Sequence, residues 1–257
     1  MVEQATENRC VGGSIPPLGT LKKMKLLSLL KLSIIVFSLT SCNNEKNFFP
    51  HDQNMVWNYE ISLYSDYTGN TEIKRLTVTN VSTIIKGKVI EYAKVLSNGD
   101  IYTLQKEKFT DKLIRTTAFL KSSSAYDEPV RKVLIPSMSF VEESWITPSQ
   151  LFITKGYQPP LRDFIPSTTF NLLYKIIKKD FNIKVKGKIY EDCLLIEGEG
   201  KSEFVADTRT GLIDVEIKSQ EWICNGIGLV KEKRIESTKA SAFGNRIYIR
   251  ELLEVTK

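Results

Sequence analysis

The chain has 257 residues, 42% hydrophobic and 26% charged, which suffices for one large domain or two small ones. Its formal charge is +6, but five basic residues (Arg9, Lys22, Lys23, Lys25, Lys31) and two acidic ones (Glu3, Glu7) precede Cys42, so the remainder is nearly neutral at about +3. A near-neutral body without a basic stripe interleaved with aromatics argues against nucleic acid as a partner. A single histidine, His51, argues against a Ser-His-Asp triad, a Cys-His pair or a multi-histidine zinc site.

Residues Met24 to Cys42 combine a basic start, a short apolar core, small residues and a cysteine. The apolar part, Leu26 to Leu39, is interrupted by Lys31 and three serines. It is shorter than the ~20 residues a permanent span needs, so a removable signal is expected. With Leu39-Thr40-Ser41-Cys42 in the place of a lipobox, the segment resembles a bacterial lipoprotein signal peptide. That resemblance implies cleavage before Cys42, lipid attachment to the Cys42 thiol, and palmitate among the acyl chains. Two or more chains give stable anchoring at roughly 0.8 kcal/mol per buried methylene. Asn43, rather than Asp, follows the cysteine and is similar to the outer-membrane default of such lipoproteins. The expected organisation is an N-terminal extension of doubtful status (1–23), a signal peptide (24–41), a lipidated tether (42–47) and a single β-rich domain (48–257).

Along that domain, Met55 to Tyr64 is rich in aromatic and branched residues and reads as a strand, as does Glu72 to Thr79. Lys86-Gly87-Lys88 and Asn98-Gly99 then separate Ile/Val-rich runs at hairpin spacing, and Asp111-Lys112 leads into Leu113 to Leu120. An antiparallel meander is expected. Six prolines between Pro129 and Pro166 disfavour helix and predict short edge strands and long loops. Thr168 to Phe181 fits either a helical face or a buried strand, and the strand is preferred because strand-type sequence surrounds it. Lys186-Gly187-Lys188, the run from Asp207 to Gly211, and Gly244-Asn245 punctuate the final strands. Gly226 and Gly228 suit a bulge or tight bend better than a dinucleotide loop, since no helix follows. The fold expected is mainly β, an antiparallel curved sheet or half-barrel with few short helices; the alternative is a two-sheet β-sandwich.

After Cys42 only Cys193 and Cys224 remain, and an even pair in an oxidising compartment suggests a disulfide. No catalytic residue, cofactor or metal site is expected: Glu142-Glu143 and Glu197/Glu199 read as solvated charge, because adjacent strand residues point to opposite faces. The aromatics, Trp57, Tyr59 and Trp222 above all, are candidates to line an apolar cavity in a curved sheet, with Tyr64, Tyr92, Tyr102, Trp145 and Tyr248 as further members. Plain core packing is the competing reading.

Phe48-Phe49-Pro50 followed by Trp57-Asn58-Tyr59, the strand Gly187-Lys188-Ile189-Tyr190-Glu191-Asp192-Cys193, and Glu221-Trp222 leading into Gly226-Ile227-Gly228-Leu229-Val230-Lys231 together resemble a set of largely uncharacterised β-rich bacterial secreted and envelope proteins. The resemblance implies a β-rich envelope protein and no particular activity. The expected function is a non-catalytic, membrane-anchored lipoprotein that binds a protein partner or supports an envelope assembly. The alternative is a carrier or sensor of a lipid or other hydrophobic ligand. A deep cavity containing Trp57 or Trp222 would favour the carrier, a filled core with an exposed apolar patch would favour the partner-binding protein, and convergent carboxylates in a cleft would favour an enzyme. Replacing Cys42 by Ser should abolish lipid labelling and membrane attachment in cell fractionation; unchanged attachment would refute the anchor.

Overall fold

The structure is a computed structural model that describes residues 46–108, 110, 112–122, 125–126, 129–136, 144–154, 169–206 and 211–257. Cys42, the signal segment, Glu142 and Glu143 lie outside the described residues. These contain fourteen strands and no helix. In chain order they are β1 (Val56–Ser65), β2 (Asn70–Lys86), β3 (Val89–Leu96), β4 (Ile101–Glu107), β5 (Leu113–Ala118), β6 (Leu120–Ser122), β7 (Ala125–Tyr126), β8 (Val130–Ile135), β9 (Ser144–Ser149), β10 (Phe170–Val185), β11 (Lys188–Val205), β12 (Leu212–Cys224), β13 (Gly228–Ser237) and β14 (Asn245–Thr256). Twelve form one antiparallel sheet in the order β8-β5-β4-β3-β2-β1-β14-β13-β12-β11-β10-β9, and β6 and β7 pair separately.

The sheet is an up-and-down meander in which the first and last strands pair, Val56 opposite Thr256 and Ser65 opposite Arg246. Its hairpins follow the turn chemistry. After β3, Leu96 N–H donates to Asp100 O at 3.0 Å and Gly99 N–H to Leu96 O at 2.8 Å, with Gly99 left-handed at φ 90°. That is a short loop with glycine at the position that requires positive φ. The segment that fitted either a helix or a strand is the strand β10.

The sheet curls until its two ends meet. Thr147 Oγ1 on β9 donates to the Val133 carbonyl on β8 at 2.8 Å, so the half-barrel is nearly closed. One continuous ladder rules out the two-sheet sandwich. The proline-rich centre does supply the short edge strands: β8 and β9 have six residues each, and Pro148 lies on β9, at the edge, where a missing N–H donor is tolerated.

The β10–β11 hairpin is longer than the barrel wall. Register shifts between Ile176 and Ile183, with Asp180 and Asp192 at positive φ, bend its tip over the outside of β1 and β14. There Lys186 Nζ donates to Glu60 Oε1 at 2.6 Å and lies 3.4 Å from Glu251 Oε2, while Lys188 Nζ donates to Leu253 O at 3.0 Å. Val185 in the tip and Leu252 on β14 are buried in one cluster with Cys193 and Cys224. The two cysteines are directly opposed on β11 and β12 and form the expected disulfide.

The N-terminal segment crosses the opposite edge of this clasp. Lys46 Nζ reaches Asp180 Oδ1 at 2.6 Å and Asp192 Oδ1 at 3.1 Å, the two residues at the bends. Asn47 N–H donates to Asn225 Oδ1 at 2.8 Å and its carbonyl accepts from Gly226 N–H at 2.8 Å. Phe48 then inserts into the core, and Pro50 packs over Gly228, whose φ of 91° turns the chain out of the β12–β13 loop. The bulge expected there lies between Trp222 and Ile223. A crosslink spanning 31 residues of chain should stabilise the fold by about 3–4 kcal/mol. Urea unfolding of Cys193→Ala/Cys224→Ala should show a loss of that size, and an unchanged midpoint would contradict it.

Candidate functional site

Strand alternation sends every second residue into the barrel. On β1 these are Trp57, Tyr59, Ile61 and Leu63; on β14 Arg246, Tyr248 and Arg250; on β13 Glu232 and Arg234; on β12 Ser219, Glu221 and Ile223. With Tyr92, Lys94 and Leu96 from β3, Tyr102 and Leu104 from β4, and Arg115 and Lys132 from β5 and β8, they enclose a lumen of about 590 Å³. That is the size of a site that takes in most of a small molecule, about 300–1,000 Å³. Phe49, Pro50, Leu113 and Ile135 line the end where the N-terminal segment crosses. Glu72, Lys74, Asn98, Asp100, Phe119 and Val130, at the other ends of their strands, rim the mouth.

The inward aromatics are held in place by backbone acceptors. Trp57 Nε1–H donates to Ile227 O at 2.7 Å and Tyr59 O–H to Leu229 O at 2.9 Å, which bolts β1 to the loop and start of β13. Trp57 and Tyr59 border the lumen, but they are only 1% and 5% exposed and pack in the buried cluster with Leu76, Val78 and Leu252, so core packing takes up most of their surface. Trp222 does not. It sits opposite Lys231 on the outer face, between the inward Glu221 and Ile223, with the Lys231 ammonium 5.8 Å from its ring. Tyr92, Tyr102 and Tyr248 line the lumen, whereas Tyr64 lies on the outer face of β1. Trp145 stacks on Tyr174 with ring centroids 5.9 Å apart. Tyr174 lies across Gly198, where any Cβ would come within 2.5 Å of the ring.

The lumen is as charged as it is aromatic. Arg250 Nη2 pairs with Glu232 Oε2 at 2.6 Å. Burial opposes the Arg250 charge, but Glu232 and the surrounding tyrosines outweigh it and raise its pKa overall. Nearer the mouth, Arg234 pairs with Glu236 at 2.6 Å and donates to Ser149 Oγ and Gln150 O, both at 2.8 Å. Glu236 in turn accepts the backbone N–H groups of Phe152 and Ile153, at 2.8 and 2.6 Å to Oε2. This clamp draws residues 149–153 inward, so that Phe152 faces Tyr248 edge-on and lies under the Arg234 guanidinium at 4.3 Å.

Other charges are not neutralised so directly. Lys94 Nζ stands 3.5 Å from the centre of the Trp57 ring and 5.7 Å from that of Tyr92. Part of its surface is accessible, but to the lumen; burial, with Arg250 adding repulsion, pulls its pKa down to about 7. Lys132 is lowered to about 8, first by burial and then by Arg115. The Glu221 carboxyl is raised, first by burial and then by Glu232, its partner across β12 and β13. His51, half-buried near the crossed end, has its pKa lowered mainly by burial and its ring 6.0 Å from Tyr92.

Protein-family models and curated proteins give no match to this sequence. Among solved structures, the chain is similar to a candidate lipoprotein from Parabacteroides distasonis, with TM-score 0.44 and 12% identity over 82% of this chain and 99% of that one. It is also similar to a candidate exported protein with a YmcC-like fold from Bacteroides fragilis, with TM-score 0.40 and 8% identity over 83% of this chain and 100% of that one.

Sequence reasoning located the aromatic half of this site and missed the charged half. Glu197 and Glu199, weighed as candidate carboxylates, lie outside the lumen, Glu197 bonded to Gln220 Nε2 at 2.7 Å. The carboxylates that face each other inside are Glu221 and Glu232, with Glu236 engaged by Arg234 nearer the mouth. Lys94 yields a test with a definite sign. The folded protein holds fewer protons than the unfolded chain between pH 7 and the ordinary lysine range, so stability rises with pH across that window. Lys94→Met should raise the thermal midpoint most at pH 6, by about 2–4 °C for each kcal/mol recovered. The gain should shrink towards pH 10 in calorimetry, and a pH-independent gain would contradict a buried lysine charge.

Proposed function

We propose that this protein is a lipid-anchored protein of the bacterial envelope, facing the periplasm from the outer membrane, that carries or senses a hydrophobic ligand inside its barrel without chemical turnover. The observation that carries the reading is the lumen itself: a cavity of about 590 Å³ bordered by Trp57 and Tyr59 and open onto Ile61, Leu63, Tyr102 and Tyr248. A cavity containing Trp57 is the feature that separates a carrier from a partner-binding scaffold, so the carrier now leads. The lipobox-like Leu39-Thr40-Ser41-Cys42 and the disulfide support the envelope address.

The convergent Glu221 and Glu232 favour a second reading, an enzyme that uses the pair for acid–base chemistry, because burial and then Glu232 raise the Glu221 pKa. Glu232 is engaged by Arg250 at 2.6 Å, which weakens it as a base, and the non-catalytic reading is preferred for that reason.

The neutral probe N-phenyl-1-naphthylamine should brighten on binding the purified protein and quench Trp57. Leu104→Trp, which fills the lumen, should abolish the enhancement while leaving the circular dichroism spectrum intact. Absence of probe binding to the unaltered protein, or full binding to the filled variant, would refute the carrier reading.

A further inference from the structure

The polar groups of the lumen are not balanced, and the imbalance says what the ligand carries at its head. Arg250 is matched by Glu232 and Arg234 by Glu236, each at 2.6 Å. Arg246 stands near the mouth, and deeper in the lumen that leaves Lys94, Arg115 and Lys132 facing the interior, with Glu221 as the inward carboxylate that interacts with Arg115 and Lys132. Arg115 and Lys132 are direct cross-strand partners on β5 and β8, both turned inward. Like charges in that position repel and destabilise a sheet. Among the described residues no acceptor meets Arg115 Nε, which is buried, and the guanidinium lies 4.7 Å over the Tyr102 ring. The Lys94 ammonium likewise meets ring faces, Trp57 and Tyr92, and no carboxylate. Tyr102 is opposite Lys94 on β3 and β4, so the two cationic groups flank one tyrosine.

On the carrier reading, we propose that the lumen takes a single-chain amphiphile whose anionic head, a carboxylate or a phosphate monoester, is held by Arg115 and Lys94 with Lys132 behind them. The chain of the amphiphile lies along the half-exposed apolar lining, Ile61, Leu63, Tyr102 and Tyr248. An oxyanion there accepts from the Arg115 guanidinium and from Lys94 Nζ, and relieves the Arg115–Lys132 repulsion. Such charge-assisted bonds are about twice as strong as neutral ones. A neutral ligand of the same chain would fill the same wall and leave both donors unmet.

Titration of the purified full chain with dodecanoate, dodecyl phosphate and dodecanol at pH 6.5, read by Trp57 quenching, tests this. Either anion should bind about tenfold or more tightly than the alcohol. Arg115→Gln and Lys94→Met should each weaken the anions by about tenfold and leave dodecanol within about twofold, which also shows that the lumen is intact. Equal affinity for all three ligands would overturn the anionic head while leaving the carrier standing. Parallel loss of dodecanol in the variants would make Arg115 and Lys94 packing residues and overturn their assignment. Failure of all three to bind would refute the carrier reading itself.

Discussion

Twelve strands make a cylinder wider than their own side chains can fill, and nearly everything distinctive about this molecule follows from that width. A smaller barrel closes on a dry core. Here the middle layer cannot meet across the axis, so it can hold polar groups, and each of these then needs a partner in surroundings of low dielectric. Glu232 answers Arg250, and Glu236 answers both Arg234 and two backbone N–H groups of the segment after β9. Buried ion pairs add little net stability, because desolvation offsets attraction. Their effect is to fix geometry: the Arg234–Glu236 clamp decides where Phe152 lies and how wide the mouth is.

The fold was legible and the site only half so, for a reason visible in β13 and β14. Strand identity comes from local chemistry, and the hairpin glycines and the Ile/Val/Tyr runs carry it without knowledge of the interior. Which face is inside is a different question. β14 reads Arg246-Ile247-Tyr248-Ile249-Arg250, and the ordinary rule of apolar inside would bury the isoleucines. The structure turns them outward and the arginines inward. In β13, Lys231 and Lys233 alternate with Glu232 and Arg234, so charge falls on both faces and hydropathy cannot choose between them. A strand charged on both faces within an otherwise apolar-aromatic series was the available signal for a polar lumen. Gly198 and Gly200 in mid-strand were another, since such glycines mark close approach: Tyr174 and Leu172 occupy the space their side chains would need.

Trp222 shows the limit of reading aromatics by composition. It differs from Trp57 in parity along its strand: Ser219, Glu221 and Ile223 alternate inward without interruption and leave Trp222 outside, the extra residue of the bulge, Val230, being on β13. One residue of slip exchanges the two faces. Lys46 and Asn47 illustrate the converse. They end a polar run with the composition of a linker, and they are pinned because their donors meet Asp180, Asp192 and Asn225.

The simple order of the sheet bears on how the chain reaches this state. β1 to β5 with β8, and β9 to β14, are each runs of neighbours in sequence, so each half can collapse through hairpins that close short loops, the fast events in folding. Two junctions are different. β1 must find β14 across nearly the whole domain, and β8 must come to rest beside β9 with a threonine hydroxyl in place of a ladder. The first is a full ten-residue register and closes the longest loop in the sheet. The second is the weakest line in the wall, so amide exchange should report the β8–β9 side opening long before the β1–β14 side does.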